Sequence, residues 1–181
     1  MRVISGKYKG RNIRGFDIVG TRPTMDRVKE SMFASINSYL KESTILDLFS
    51  GSGNLGIEAL SNGALCAYFV DNNQVAIKTI KENIQNINIK EETHIHKMDY
   101  KDALKYFNNN KIKFNIIFLD PPYKENILSD ILTLIKKYDL LFDEGIVVLE
   151  YEKGNINYDN YELLKIKKYG SKSVMILKKM L

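Results

Sequence analysis

The chain has 181 residues, 44% of them hydrophobic and 27% charged, with a net charge of +5. That length suits one domain with a real core, hiding roughly 70% of the surface the unfolded chain exposes. No stretch nears the ~20 apolar residues that cross a bilayer, the opening MRVISGKYKG has no apolar signal-peptide centre, and one cysteine excludes an internal disulfide, so a cytoplasmic protein with no membrane partner is expected.

Residues 1–16 read as short strands broken by Gly6, Gly10 and Gly15, a small N-terminal β-ribbon. Residues 1–30 hold eight basic and three acidic side chains, and all five arginines fall in the first 27 positions. A guanidinium forks onto phosphate in a way lysine does not. Arg2, Lys7, Lys9, Arg11, Arg14, Arg22 and Arg27 therefore form a candidate surface for a polyanion such as nucleic acid. Residues 1–22 read as a basic extension of a single domain, 1–181, whose core is 23–181. TRPTMDRVKESMFASINSYL reads as a helix over 21–40, with Thr24 as its cap and Val28, Met32, Ile36 and Leu40 as its apolar stripe.

Strands and helices then alternate. The strands are 44–49, 67–71, 93–97, 114–119 and 145–150; the helices are 54–62, 74–87, 100–107 and 125–138. Such repetition predicts an α/β, Rossmann-like fold: a mostly parallel seven-stranded sheet with helices on both faces. The last strands, 161–169 and 173–178, are separated by only three residues and must form an antiparallel hairpin. Residues 163–181 carry six lysines and no acid, which reads as a solvated hairpin face, whereas 31–162 carry thirteen basic and nineteen acidic residues. His94 and His96 read as strand residues, because without a surrounding cysteine or carboxylate cluster they make a poor metal site, and no metal is expected. Cys66 reads as a small core residue.

Ligands of such sheets bind at the carboxyl ends of the strands. There Gly51, Gly53 and Gly56 stand in a G-x-G-x-x-G spacing between a strand and a helix, and Asp71 follows Gly51 by twenty residues. This pattern serves NAD or S-adenosylmethionine, since both need close backbone approach and an acceptor for ribose hydroxyls. Asp47, inside the strand before the loop, favours S-adenosylmethionine: an acid suits an ammonium and a sulfonium, not a pyrophosphate. Asp47 could equally bond nearby loop N–H groups. The candidate cofactor set is Asp47, Ser50, Gly51, Gly53, Asp71, Asn72, Met98 and Asp99. Asp99 could accept from an adenine amino group, a role with which helix capping competes.

FLDPPY, residues 118–123, closes the fourth strand. An exocyclic amino group is a poor nucleophile because its lone pair is delocalised into the ring. Asp120 and the carbonyl of Pro121 offer two acceptors for its N–H bonds, and Pro121 and Pro122 stiffen the corner that presents them. Asp120 stabilises the positive charge that grows on the attacking nitrogen. Tyr123 can stack on the target base. The competing reading is a strand ended by a proline turn.

Asp-Pro-Pro-Tyr at 120–123 is similar to the hallmark of amino-group methyltransferases. The chain more narrowly resembles the RsmD family of ribosomal RNA guanine-N2 methyltransferases, through RVISGKYKGR, TRPTMDRVKESMF, LDLFSGSGNLGIEALSNGA, IIFLDPPY and the closing glycine hairpin. Asn54 stands where the family usually has a small residue, Asp71 replaces a frequent Glu, and Asn73 lacks a second acid often seen there. The resemblance implies a monomeric class I enzyme that moves methyl from S-adenosylmethionine to N2 of one guanine in 16S rRNA, on assembled or assembling 30S particles. Arg22, Pro23 and Thr24 could close over the cofactor or position the base, or the helix they open could serve only to join arm to sheet. Rival readings are an amino-methyltransferase on DNA adenine or protein glutamine, an NAD-dependent oxidoreductase, and an inactive RNA-binding module.

Overall fold

The structure, a computed structural model, describes residues 1–15, 23–122, 127–152 and 154–181, with side chains of the first helix from Asp26 onward. Arg22 and Tyr123 lie outside the described residues, as do Phe16 at the end of the expected ribbon, the start of the helix expected over 21–40 and the first residues of the one expected over 125–138.

The amphipathic stretch after the arm forms two helices, α1 (Pro23–Ser35) and α2 (Asn37–Leu40). Thr24 lies inside α1, so it is not the cap, and Pro23 takes the first helical position, where a missing N–H costs nothing. The expected single helix breaks at Ile36, whose φ and ψ are −111° and 10°. Its N–H bonds the carbonyl of Phe33 and its carbonyl accepts from Tyr39, which tightens the turn to a three-residue spacing. The stripe survives the break: Val28, Met32, Ile36 and Leu40 are all buried.

The remaining elements are β1 (Thr44–Asp47), α3 (Asn54–Ser61), β2 (Cys66–Asp71), α4 (Gln74–Ile87), β3 (Glu92–Lys97), α5 (Tyr100–Asn109), β4 (Phe114–Leu119), α6 (Ile127–Lys137), β5 (Leu141–Tyr151), β6 (Tyr161–Tyr169) and β7 (Lys172–Lys179). One seven-stranded sheet takes the order β3-β2-β1-β4-β5-β7-β6. The first five strands run parallel, and β7 is antiparallel to both β5 and β6. The hairpin thus folds back so that its second strand pairs with β5 and its first becomes the edge strand. Two strands differ from expectation by more than one residue at an end. β1 ends at Asp47, because Leu48 and Phe49 already turn toward the glycine loop, and β5 starts four residues early, with an irregular register between Phe114 and Ile116.

Successive strand residues point to opposite faces, and the sheet sorts its apolar side chains accordingly. Ile45, Phe69, Ile116, Phe118, Ile146 and Ile176 join α1 to α4 in one core, while Leu46, Val70, Ile117, Leu119, Val147 and Leu177 join α5 and α6 in the other. Both faces are therefore covered, and the chemistry is left to the carboxyl edge.

Among the described residues the N-terminal ribbon shows one antiparallel bridge, Arg2 with Asn12, flanked by backbone bonds between Val3 and Arg11 and between Met1 and Ile13, and it packs onto the first core through Val3, Tyr8 and Ile13. Its anchor is Glu58 of α3, fully buried, whose carboxylate accepts from the N–H groups of Ile4 and Ser5 and from the Ser5 hydroxyl. Lys29 of α1 pairs with Glu58 at 2.8 Å and also donates to the Arg2 carbonyl and to Asn54 Oδ1. Burial pulls the Lys29 ammonium below its usual pKa, and the Glu58 charge opposes that pull.

Candidate active site

Register gathers the acids. Asp47 of β1 pairs with Phe69 of β2 on one side and Phe118 of β4 on the other. Asp71 and Asp120 therefore each stand two residues beyond Asp47, at the carboxyl edge. Asp71 pairs with Lys97 of β3, so Asp99 stands two residues beyond that. Leu119 pairs with Leu149 of β5, which brings Glu150 alongside Asp120.

The glycine loop is built for close approach. Gly53 has φ 81°, a left-handed conformation that favours glycine, and it begins α3. At Gly56 an added Cβ would lie 2.3 Å from the Phe69 ring, so only glycine lets α3 press onto the sheet here. Ser50 ties the loop down, its hydroxyl donating to the Asp47 carbonyl and accepting from the Val70 N–H. Asp71 braces the same loop: one carboxylate oxygen accepts from the Gly51 N–H, the other from the Asn73 N–H, both at 2.9 Å. A carboxylate has about four acceptor positions, so about two remain open to a further donor. Asn72 is exposed beside it, and Met98 is half-buried, its N–H bonding the Asp71 carbonyl.

Asp47 is 2% exposed, and its Oδ2 accepts from the Gly56 N–H at 3.0 Å. Burial pushes its carboxyl up to about 7, the Gly56 bond works the other way, and the charges of Asp120 and Asp71 add to the rise. A nearby cation would reverse this, which suits the charge expected of a sulfonium-bearing amino acid. Asp99 caps α5, its Oδ1 accepting from the Lys101 N–H at 2.8 Å. The competing structural role is thus present, and the second oxygen is left to the edge.

Asp120 opens to solvent on one side of a crowded corner. Burial pushes its carboxyl up, the Glu150 charge adds to the push and Lys172 opposes it; water on the open side damps the effect. Lys172 pairs with Glu150 across β7 and β5. Neither residue was singled out from sequence. Glu150 had a signal, an acid ending an apolar strand like Asp47, Asp71 and Asp120. Lys172 had none, because its place depends on β7 lying next to β5. Pro121 is half-buried and Pro122 exposed beyond Asp120, as a corner requires.

The basic arm spreads its cations over two open grooves. Arg2, Lys9 and Arg27 line one with Asp26 and Glu30; Arg11 and Arg14 line the other with Asn83 and Asn86. Arg2 pairs with Asp26, Lys7 with Glu91 and Arg14 with Glu82, all with exposed cations. Such surface pairs are worth ~0–1 kcal/mol, so phosphate can displace them. Asn83, buried in α4, links arm to loop: it accepts from the Arg14 N–H and donates to the carbonyls of Arg14 and Ser52.

The histidines need a correction. Cys66 and Glu92 do come close to His94, with the three ligand atoms within 4.8 Å of one another, because β2 and β3 pair Cys66 with Glu92 and Tyr68 with His94. Ordinary interactions already account for the group. His94 Nε2 bonds Glu92 at 2.6 Å, the His94 ring stacks on Tyr68 at 4.3 Å, and burial, with the Glu92 charge, pushes the Cys66 thiol up to about 11.

The sequence model of the family described as Conserved hypothetical protein 95 matches residues 1–178. Two curated proteins are similar over most of their length. YlbH of Bacillus subtilis, named as a candidate rRNA methyltransferase, is 44% identical over 84% of this chain and 83% of its own. Ribosomal RNA small subunit methyltransferase D of Haemophilus influenzae is 34% identical over 94% of this chain and 89% of its own. A crystal structure of a methylase from Haemophilus influenzae has a TM-score of 0.79 and 28% identity, covering 99% of this chain and 98% of that one. With acids, glycine loop and proline corner on one edge of a sheet shared with these proteins, the chain belongs to this family, the RsmD family of methyltransferases.

Proposed function

We propose that the protein methylates the exocyclic N2 of one guanine in 16S rRNA, using S-adenosylmethionine, on assembled or assembling small subunits in the cytoplasm. The observation that carries this reading is the placement of Asp120, on a proline corner, two residues beyond the level of buried Asp47 and beside the Gly51–Asp71 loop. The names of the relatives as rRNA methyltransferases support the RNA substrate.

The residues present fit the cofactor. Asp71 would take ribose hydroxyls on its remaining lone pairs, Asp47 would face the amino-acid end, and Met98 and Asp99 would flank the adenine. S-adenosylmethionine supplies a methyl bound to a sulfonium, an electron-poor carbon. Everything else is work for this chain. Asp120 and the Pro121 carbonyl accept the two N–H bonds of the amine, which frees its lone pair. Asp120 then holds the charge growing on nitrogen, and Glu150 with Lys172 tunes that carboxylate. The reading also asks Tyr123 to stack on a guanine turned out of its helix, a step such enzymes need to reach a base edge. In this reading Arg22, Pro23 and Thr24 would close over the cofactor or position the base.

Incubating the protein with labelled S-adenosylmethionine and unmethylated small subunits, then mapping the label, tests the reading. Label on one guanine N2 of 16S rRNA is expected. Label on adenine, on DNA or on protein glutamine would replace it with the corresponding rival.

A further inference from the structure

The C-terminal hairpin holds positive charge that the site above does not use. Of its six lysines, three meet carboxylates: Lys172 meets Glu150, Lys178 meets Glu144, and Lys179 meets Asp139 and Asp143. Among the described residues, Lys165 and Lys167 differ. Their ammonium groups bond the neutral hydroxyls of Ser35 (2.9 Å) and Ser31 (2.6 Å) on α1, and both lysines are exposed. A hydroxyl partner orients the ammonium without cancelling its charge.

A local irregularity puts these groups on one face. The register of β6 against β7 shifts between Leu163 and Lys165. Before the shift, Leu163 pairs with Leu177 of the α5–α6 core. After it, Lys165 pairs with Ile176 and Lys167 with Val174, both in the α1–α4 core. The extra residue, Leu164, turns both lysines toward α1. Without it, the alternation of a strand would send them to the other face.

Direction decides what the seam can serve. β6 and β5 are both antiparallel to β7, so β6 runs parallel to β5 and ends at the edge that carries Asp120. Lys165, Lys167 and Tyr169 therefore climb toward that edge, and the Lys167 ammonium lies 5.5 Å from the Tyr169 ring centroid. Cations two residues apart on a strand are spaced by about 6–7 Å. Three strand spacings separate β6 from β4, or about 14 Å along the edge. A row of uncancelled cations that ends within a few nucleotides of the acceptor corner complements a phosphodiester strand.

We infer that the seam between α1 and β6, formed by Ser31, Ser35, Lys165, Lys167 and Tyr169, is a second RNA track that grips the backbone leading into the Asp120 corner. The inference rests on the RNA substrate proposed above. It goes beyond the reading of these lysines as a solvated hairpin face.

The test compares wild type, Lys165→Glu/Lys167→Glu, Lys165→Ala/Lys167→Ala and Lys105→Glu, a charge reversal on exposed α5. Small-subunit binding is measured from 50 to 200 mM salt, with binding of S-adenosylmethionine as the control for folding. Each phosphate contact contributes about 0.7–0.9 to the slope of log affinity against log salt. Both double variants should lower that slope by about 1.5 and weaken binding roughly tenfold or more, with donor binding and the Lys105→Glu profile unchanged. An unchanged slope overturns the track even if affinity falls, since a ribosomal-protein contact would then be responsible. If wild type methylates the particle and the double variants match it in binding and slope, this inference alone falls. If wild type labels no small-subunit RNA, the reading beneath it falls instead.

Discussion

At the scale of single residues, the site is a set of acids that differ in what surrounds them. Asp71 is braced by two backbone N–H groups, Asp99 by one, Asp47 by one within apolar surroundings, and Asp120 stands among charges. Asp120→Ala should cut methyl transfer by at least about 100-fold, the scale for losing one preorganised electrostatic partner, while equilibrium dialysis shows donor binding largely kept. Loss of binding with retained turnover would reverse the roles of Asp120 and the loop. Asp47 makes a pH prediction. Its carboxyl titrates near 3.8 when unfolded and about 7 when folded. The folded state therefore holds the proton more tightly between these values, and stability falls as pH rises from about 4 to about 7. Asp47→Asn should gain stability over wild type at pH 8 relative to pH 5 in thermal melts, and should bind the donor roughly tenfold less tightly, ~1.4 kcal/mol. A gain that is the same at both pH values would mean that Asp47 is not held protonated. In the sequence Asp71 and Asp120 stand out as carboxylates ending apolar runs, Asp47 as one inside such a run and Asp99 as one ahead of a helix; their unequal environments do not.

At the scale of elements, the arm, α1 and α3 act as one unit because Glu58 binds all three. Lys29 and Glu58 are 5% and 0% exposed at their side chains, so each depends on the other. Glu58→Ala leaves the ammonium buried without its partner and should cost about 3–5 kcal/mol in urea unfolding. Lys29→Met with Glu58→Leu should recover much of that loss, because a well-packed apolar pair removes both buried charges; a double variant as unstable as the single one would show that the arm needs the hydrogen bonds themselves. Helix and strand periods were legible here: α4 and β4 have the expected bounds, and the stripe of α1 is buried throughout. The break at Ile36 was not legible, because four-residue spacing of apolar residues persists across a tightened turn. Neither was the anchoring role of Glu58, which reads as one more polar residue inside SGSGNLGIEALS until the arm folds over it.

At the scale of the whole molecule, one sheet separates two cores and leaves its carboxyl edge for chemistry, with basic residues on the arm and on β6. The arm is one candidate RNA surface. Arg11→Glu/Arg14→Glu should weaken small-subunit binding and flatten its salt dependence by about 1.5 in slope, with donor binding intact. Equal slopes for variant and wild type would remove the arm from the interface. The sequence by itself determined the order and apolar faces of the elements, the glycine loop and the acids at the strand ends, because those patterns arise between neighbours along the chain. Only the tertiary structure decided that β7 lies between β5 and β6, that Glu150 and Lys172 reach Asp120, that Lys29 neutralises Glu58, and that one extra residue turns Lys165 and Lys167 toward α1. These partners are far apart in sequence, and their pairing is settled by which strands share hydrogen bonds and which faces share a core, neither of which any local pattern encodes.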